Sequence, residues 1–246
     1  MDNTQKFTGK AEAYSCGRPY YAEGLFEVLA EDYGFKGREI ADFGCGTGIF
    51  AEGLLSHGSI VYGIEPNADM RAAAEKALAN DRNFHATDGS AEYSGLKSGS
   101  VYAVTAAQAF HWFDAEKFRA ECNRIMYGNY VALAYNRRTQ TDLHAAIAQV
   151  NSKFCPSFKG FHGGFTDNRV SAFFGGDFKA YTFANDLQMN SEEFLMRCLS
   201  SSYAPRKGDG AYNEYISAMR ELFGKYSSDG VLDYPIQSKL FIGKIR

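Results

Sequence analysis

The stretch Glu39-Ile40-Ala41-Asp42-Phe43-Gly44-Cys45-Gly46-Thr47-Gly48-Ile49-Phe50 constrains the fold more than any other part of the chain. Glu39 to Phe43 is a short, mostly apolar run of strand length. Gly44, Gly46 and Gly48 then alternate through a turn, where glycine permits positive φ and lets a ligand approach the backbone. From Ile49 to Ser56 the apolar residues Ile49, Phe50, Leu54 and Leu55 fit one face of a helix. A buried strand, a glycine turn and a helix N-terminus form a place for anionic ligand groups. A dinucleotide fingerprint, G-x-G-x-x-G, fits poorly. Read from Gly44 it requires glycine where Ile49 stands, and read from Gly46 it meets Ala51, which it tolerates. No lysine follows to make a P-loop.

Three further strand ends carry polar residues in order. Ile60 to Glu65 reads as a second strand that ends Glu65-Pro66-Asn67, seventeen residues after Gly48. In doubly wound sheets ligands bind outside the carboxyl ends of the strands, where an acid can accept both ribose hydroxyls. Asn67 suits the N-cap of a helix bearing Met70, Ala73, Ala74, Ala77 and Leu78. Asn83 to Asp88 is a third strand, ending Asp88-Gly89-Ser90, and a plain Asx turn fits those residues equally well. Val101 to Ala106 is a fourth strand, running into Gln108-Ala109-Phe110-His111-Trp112-Phe113-Asp114. Asp114 caps the next helix, and Phe113 with Phe118 has the spacing of a hydrophobic staple. Gln108, His111 and Trp112 precede the cap, where active-site groups gather.

The ordered set Asp42-x-Gly44-x-Gly46-x-Gly48, Gly63-Ile64-Glu65-Pro66, Asp88-Gly89-Ser90-Ala91-Glu92 and Gln108-Ala109-Phe110-His111-Trp112-Phe113 resembles the class I S-adenosylmethionine-dependent methyltransferases of the type 11 (UbiE-like) group. The Gln108-Ala109-Phe110-His111-Trp112-Phe113 stretch and Tyr14…Arg18-Pro19-x-Tyr21 are similar to the trans-aconitate methyltransferase-like branch. The resemblance covers residues 11–135 by motif and the remainder by pattern. It implies an α/β, Rossmann-like, seven-stranded, mostly parallel sheet with an antiparallel last strand and helices on both faces. A helical N-terminal segment and a cap-like insertion complete that expectation. The implied division is 1–37 as the N-terminal segment, 38–135 as the cofactor-binding core, 136–177 as an insertion or lid, and 178–246 as the end of the sheet with C-terminal helices.

The resemblance implies that S-adenosyl-L-methionine is held by Asp42, Gly44, Gly46, Gly48, Glu65, Pro66, Met70, Asp88, Gly89, Ser90 and Gln108. Tyr14, Arg18, His111 and Trp112 would meet the acceptor. His111, whose pKa lies near neutrality, is the candidate base, with a purely structural role as its alternative. Arg18 is open between a pocket and a surface tyrosine stack. Arg18 or Arg137 would orient a carboxylate acceptor. The Asn-Pro-Pro-Tyr motif of amino methyltransferases is missing, so oxygen, carboxylate or carbon acceptors are expected ahead of amide nitrogen. A cofactor-binding protein without transferase activity, or a dinucleotide-dependent oxidoreductase, are the rival readings.

Composition sets outer bounds. The net charge of −3 and the lack of a long basic run point away from nucleic acid. Five scattered cysteines without C-x-x-C indicate no metal site and no disulfide framework. No basic-then-apolar leader or membrane-length apolar run is present, so a cytoplasmic monomer or homodimer acting on a small molecule is expected.

The second half is read from periodicity. Tyr127 to Tyr135 is a fifth strand, and Leu143, Ala146, Ile147 and Val150 mark a helix. Residues 151–177 show no regular period. Phe178 to Met189 is expected as a sixth strand and Val231 to Ile245 as the last. Between them Tyr212, Tyr215, Ile216, Met219, Leu222, Phe223 and Tyr226 make the most regular helical stripe.

Overall fold

The computed structural model describes residues 19–161 and 166–245. The chain enters through α1 (Glu23–Glu27), which continues as a wider π turn over Val28–Asp32. There follow β1 (Glu39–Phe43), α2 (Ile49–Ser56), β2 (Ile60–Ile64), α3 (Ala68–Ala77), β3 (Phe84–Thr87), β4 (Val101–Ala107), α4 (Ala115–Ile125) and β5 (Met126–Arg138). The second half holds α5 (Asp142–Phe154), α6 (Asp167–Phe174), β6 (Phe178–Ala184), β7 (Leu187–Met189), α7 (Ser191–Leu199), α8 (Tyr212–Tyr226), β8 (Leu232–Tyr234) and β9 (Ile236–Lys244).

Seven strands form one sheet in the order β3-β2-β1-β4-β5-β9-β6. The first five are parallel, and β9 lies antiparallel between β5 and β6. The expected seven-stranded α/β sheet with an antiparallel last strand is therefore present. Helices cover both faces, which is why β1 and β4 read as continuous apolar runs rather than alternating ones. One core cluster joins Phe43, Phe110, Phe118 and Leu133 to Phe173 and Phe174 of α6; the opposite face joins Leu25, Phe26, Phe50 and Leu54 to Ala132, Ala134 and Leu240. The chain reverses its winding direction between β1 and β4, and the crevice above that pair is the sheet's natural ligand site.

Two expected strands are corrected. Phe178 to Met189 is two strands, because the chain leaves the main sheet at Asn185-Asp186, where Asp186 accepts from the Ile236 N–H. Val231 to Ile245 is likewise divided at Pro235, which has no N–H to continue a ladder. The freed pieces, β7 and β8, pair with each other. They pack with α5, α7 and α8 around a third cluster containing Ile147, Phe194, Tyr215, Met219, Phe223 and Tyr234. The helical stripe of α8 is buried there at Tyr215, Met219 and Phe223. Within residues 151–177, α6 is capped by Thr166 and stopped by Gly175 at φ 64°. Its eight residues bury Val170, Phe173 and Phe174, too short a run for a period to stand out.

The N-caps anticipated at Asn67 and Asp114 are formed, with Asn67 accepting from the Met70 N–H at 3.1 Å. The Asn67→Ala variant is expected to unfold about 1 kcal/mol more easily in urea, the usual effect of losing an N-cap side chain. An unchanged midpoint would show that α3 is held by its packing alone.

Candidate functional site

The glycine turn after β1 adopts left-handed geometry at Gly44, Gly46 and Gly48 (φ 66°, 59° and 89°). At Gly44 a Cβ would lie 2.7 Å from the Cβ of Ala109, so the turn and the loop after β4 touch backbone to side chain with no room between them. Glu65, at the end of β2, ties this turn to α3. Its Oε2 accepts from the Gly46 N–H at 3.0 Å and its Oε1 from the Asn67 N–H at 2.9 Å. Burial raises its carboxyl pKa, while the two N–H groups and Arg71 oppose that rise. Each oxygen keeps further lone pairs for a ligand hydroxyl.

Above Glu65 lies a cavity of about 820 Å³, counting its open mouth, lined by Gly44, Gly46, Glu65, Pro66, Met70, Gly89, Ser90, Gln108 and Trp112 among others. Across the turn a second hollow of about 420 Å³ is lined by Asp42, Thr47, Tyr21, Phe50, Gln108 and Asn136. The two share Gly44, Gly46, Ala107 and Gln108, so one ligand straddling the glycine turn reaches both.

Asp42 is fully buried beneath the smaller hollow. Its Oδ1 accepts from the Thr105 hydroxyl at 2.7 Å, while its Oδ2 and the neighbouring Thr47 hydroxyl are buried and find no hydrogen-bond partner among the described residues. Burial pushes the Asp42 carboxyl up to about 7, against the pull of Thr105, and the charge of Glu65 adds to the rise. Buried polar atoms are rarely left unpaired, and those that are point to an absent partner. A cation with N–H donors suits Asp42.

The loop after β4 is equally built. Gln108 takes φ 54°, unusual for a residue with a side chain. The Ala134 carbonyl accepts from its backbone N–H at 2.9 Å, and the Asn136 carbonyl from its side-chain amide at 3.0 Å. His111 and Trp112 follow on a single 3-10 turn. Trp112 faces the large cavity, whereas His111 places Nδ1 3.4 Å from the Tyr135 hydroxyl. Phe113 and Phe118 meet with ring centroids 4.9 Å apart, the anticipated staple.

Not every expected residue converges. Asp88 does not line the cavity; its exposed carboxylate accepts from Arg71 at 3.1 Å. Arg137 pairs with Asp167 at 3.0 Å. Tyr14 and Arg18 lie outside the described residues. Three contributors went unread in the sequence. Asn136 lines the smaller hollow, and its side-chain amide donates to the Tyr20 carbonyl, tethering the entering chain. Thr47 is a plain turn residue by sequence. Arg169 of α6 donates to the Phe113 carbonyl at 2.6 Å and holds the His111–Trp112 turn from behind. Among the described residues no cluster of metal-ligating groups occurs, and no helix is long and apolar enough to cross a membrane.

Comparison with known proteins accords with this geometry. Residues 41–129 match the family model described as a methyltransferase domain. An uncharacterised methyltransferase of Mycobacterium bovis is 31% identical over 140 residues, covering 56% of this chain and 55% of that protein. The chain spans about half the length of the curated relatives it matches. Among solved structures, phosphoethanolamine N-methyltransferase 2 of Haemonchus contortus, in complex with S-adenosylhomocysteine, superposes with a TM-score of 0.56 at 14% identity. That match covers 99% of this chain and 58% of the other. The [4+2]-cyclase SpnF superposes with a TM-score of 0.59 at 13% identity, covering 98% and 94%.

Proposed function

We propose that this chain is a class I methyltransferase, a reading supported by its fold and by the match of residues 41–129, and that it binds S-adenosyl-L-methionine and moves the methyl group to a small-molecule acceptor. The observation that carries the reading is Glu65. A carboxylate fixed at the second strand end, with free lone pairs and a cavity above it, suits the two ribose hydroxyls. Met70 and Pro66 would pack on the adenine, with the Gly89–Ser90 backbone at its edge. The ammonium of the methionine part would meet the unpartnered Oδ2 of Asp42 across the glycine turn, with Gln108 between. The same ligand then accounts for both hollows and for the orphaned buried oxygen.

The bound cofactor supplies an activated methyl group for in-line displacement. The chain's own task is to hold the partners in line and keep water out. Trp112, on the cavity wall, offers an aromatic face to the positive sulfur. An oxygen, carboxylate or carbon acceptor is favoured over an amide nitrogen, because Gln108-Ala109-Phe110-His111 stands where the Asn-Pro-Pro-Tyr motif would be.

His111 is assigned a positioning role rather than that of a base. Its Nδ1 faces the Tyr135 hydroxyl, and Tyr135 is itself buried with its pKa raised by desolvation. Replacing His111 with Asn should lower turnover less than tenfold and leave its pH profile in shape. A loss of about 10²–10⁴-fold, with an ionisation near neutrality removed, would identify His111 as the base instead.

The decisive experiment is calorimetric titration with S-adenosylmethionine and, separately, with NAD. Saturable binding of the first in the micromolar range is expected. Binding of NAD alone would overturn the reading. Cofactor binding without transferase activity is the second reading, because a protein named as a cyclase shares the fold. Cofactor binding without methyl transfer across a broad acceptor panel would favour it.

A further inference from the structure

We propose that Asn136, Asn185 and Ser238 act together as positioning residues, seating residues 19–22 as the outer wall of the smaller hollow, and that this seat sets the affinity for the amino-acid end of the cofactor separately from its nucleoside end. The proposal deepens the methyltransferase reading above and rests on it.

Residues 19–22 lie outside any helix or strand. Their backbone groups therefore need partners from elsewhere. Three side chains, brought from three places in the fold, supply them. Asn136, near the end of β5, donates through Nδ2 to the Pro19 carbonyl at 3.3 Å and to the Tyr20 carbonyl at 3.0 Å. Asn185, in the link between β6 and β7, donates to the same Tyr20 carbonyl at 2.8 Å. Ser238 of β9 accepts from the Ala22 N–H at 3.0 Å.

The three are also locked to one another. The Asn136 Oδ1 accepts from the Ser238 hydroxyl at 2.5 Å and from the Asn185 amide at 3.2 Å. Each polarity is forced. A carbonyl only accepts, so both amides turn their nitrogens toward the segment, and Ser238, having given its one proton to Asn136, accepts from Ala22. Asn136 and Ser238 stand opposite each other in the β5–β9 ladder, and Ala184, just before Asn185, pairs with Gln237, just before Ser238. The cradle is thus built on the sheet and fully buried at Ser238, while the seated part is irregular chain.

What the segment carries decides its use. Pro19 and Tyr21 line the hollow of about 420 Å³ together with Asn136, Asp42 and Thr47. Tyr21 closes against α2, its ring edge-on to that of Phe50 with centroids 4.9 Å apart. The larger cavity, where the nucleoside would lie, is lined by none of residues 19–22, so the seat bears on one end of the ligand. Fixing an irregular segment costs conformational entropy that a few hydrogen bonds only just offset. Seated and unseated forms then coexist, and the affinity for a ligand that needs the wall falls in proportion to the seated fraction. The Asn136 carbonyl also accepts from the Gln108 side chain, so one residue holds both the outer wall and the group between the two hollows.

The test uses the full chain and two ligands titrated separately by calorimetry. One is S-adenosylhomocysteine; the other is 5′-methylthioadenosine, which has the nucleoside and the sulfur but no amino-acid end. Asn136→Ala should weaken the first about tenfold and the second less than about twofold, as the seated fraction falls. Asn136→Asp has nearly the same shape and, ionised, still accepts from Ser238 and Asn185, but it has no proton for either carbonyl. It is expected to match Asn136→Ala; behaviour like the native chain would mean that Asn136 only fills space, and would overturn the proposal. Chymotryptic cleavage at Tyr20 and Tyr21, followed by mass spectrometry, reads the seat without any ligand and should run about fivefold faster in both variants. Should neither Asn136 variant fold, Asn185→Ala is expected to weaken S-adenosylhomocysteine about threefold and to speed the same cleavage. Equal losses for the two ligands, no loss in a folded variant, or unchanged ligand-free cleavage each overturns the proposal. Failure of S-adenosylhomocysteine to bind the native chain would instead count against the methyltransferase reading, and the cleavage rates would still decide whether the cradle seats the segment.

Discussion

The Glu65→Ala variant is expected to bind S-adenosylmethionine about 100-fold more weakly than the native chain. Hydrogen bonds to a charged group contribute about 1.5–3 kcal/mol each, and two ribose hydroxyls are at stake, so a loss of about 2.7 kcal/mol is a moderate figure. A second effect adds to it. In the structure the same carboxylate accepts from Gly46 and Asn67, and its removal leaves both N–H groups without that partner. The glycine turn, whose three left-handed residues are costly to order, then loses its anchor to α3. Glu65→Gln separates the two effects, because its amide oxygen still accepts one N–H bond while the charge is gone. Calorimetry on both variants provides the check. A change of less than fivefold in Glu65→Ala would place the ribose elsewhere.

Much of this architecture is legible in the residues because it is local. The glycine turn, the acid after β2 and the caps at Asn67 and Asp114 each declare themselves within about five positions. The parallel strands are short apolar runs, readable because both sheet faces are covered. What sequence conceals is pairing at a distance. The division of the last two expected strands at Asn185-Asp186 and Pro235 only acquires meaning when β7 finds β8, some forty residues away. Pro235 was a visible signal, since proline interrupts a ladder, whereas Asn185 gave a weaker one. Asn136 and Arg169 show the same limit within the site. Asn136 sits in an apolar strand and Arg169 in an aperiodic stretch, and each acts through backbone carbonyls of segments remote in sequence. Nothing in their neighbours announces such partners. Asp88 is the converse case. Its place in the motif was plain, but Arg71 from α3 takes its carboxylate.

Asp42→Asn is expected to stabilise the ligand-free protein at pH 8 and to weaken its hold on the cofactor. The folded carboxyl has been raised from 3.8 to about 7. Between those values the native state binds more protons than the unfolded chain, so stability falls as pH rises through the window and is flat above it. At about 1.4 kcal/mol per pKa unit, the upper bound of the fall is on the order of 4 kcal/mol. Urea unfolding of the native chain at pH 5 and pH 8 should show the part of this loss that lies above pH 5, at most about 3 kcal/mol, and Asp42→Asn, which keeps an acceptor for Thr105, should be nearly level between them. The cofactor reverses the sign. In the proposed placement its ammonium favours the ionised carboxylate, so binding to the native chain is expected to tighten as pH rises toward 7 and to release a proton below it. The substituted chain has no charge to offer and binds weakly at every pH. On the proposed reading, the stability given up in the empty protein leaves a buried charge ready for the ligand, a trade that functional sites commonly make. An equal pH slope in native and substituted chains would show that Asp42 is protonated and structural, and would move the ammonium contact to another group.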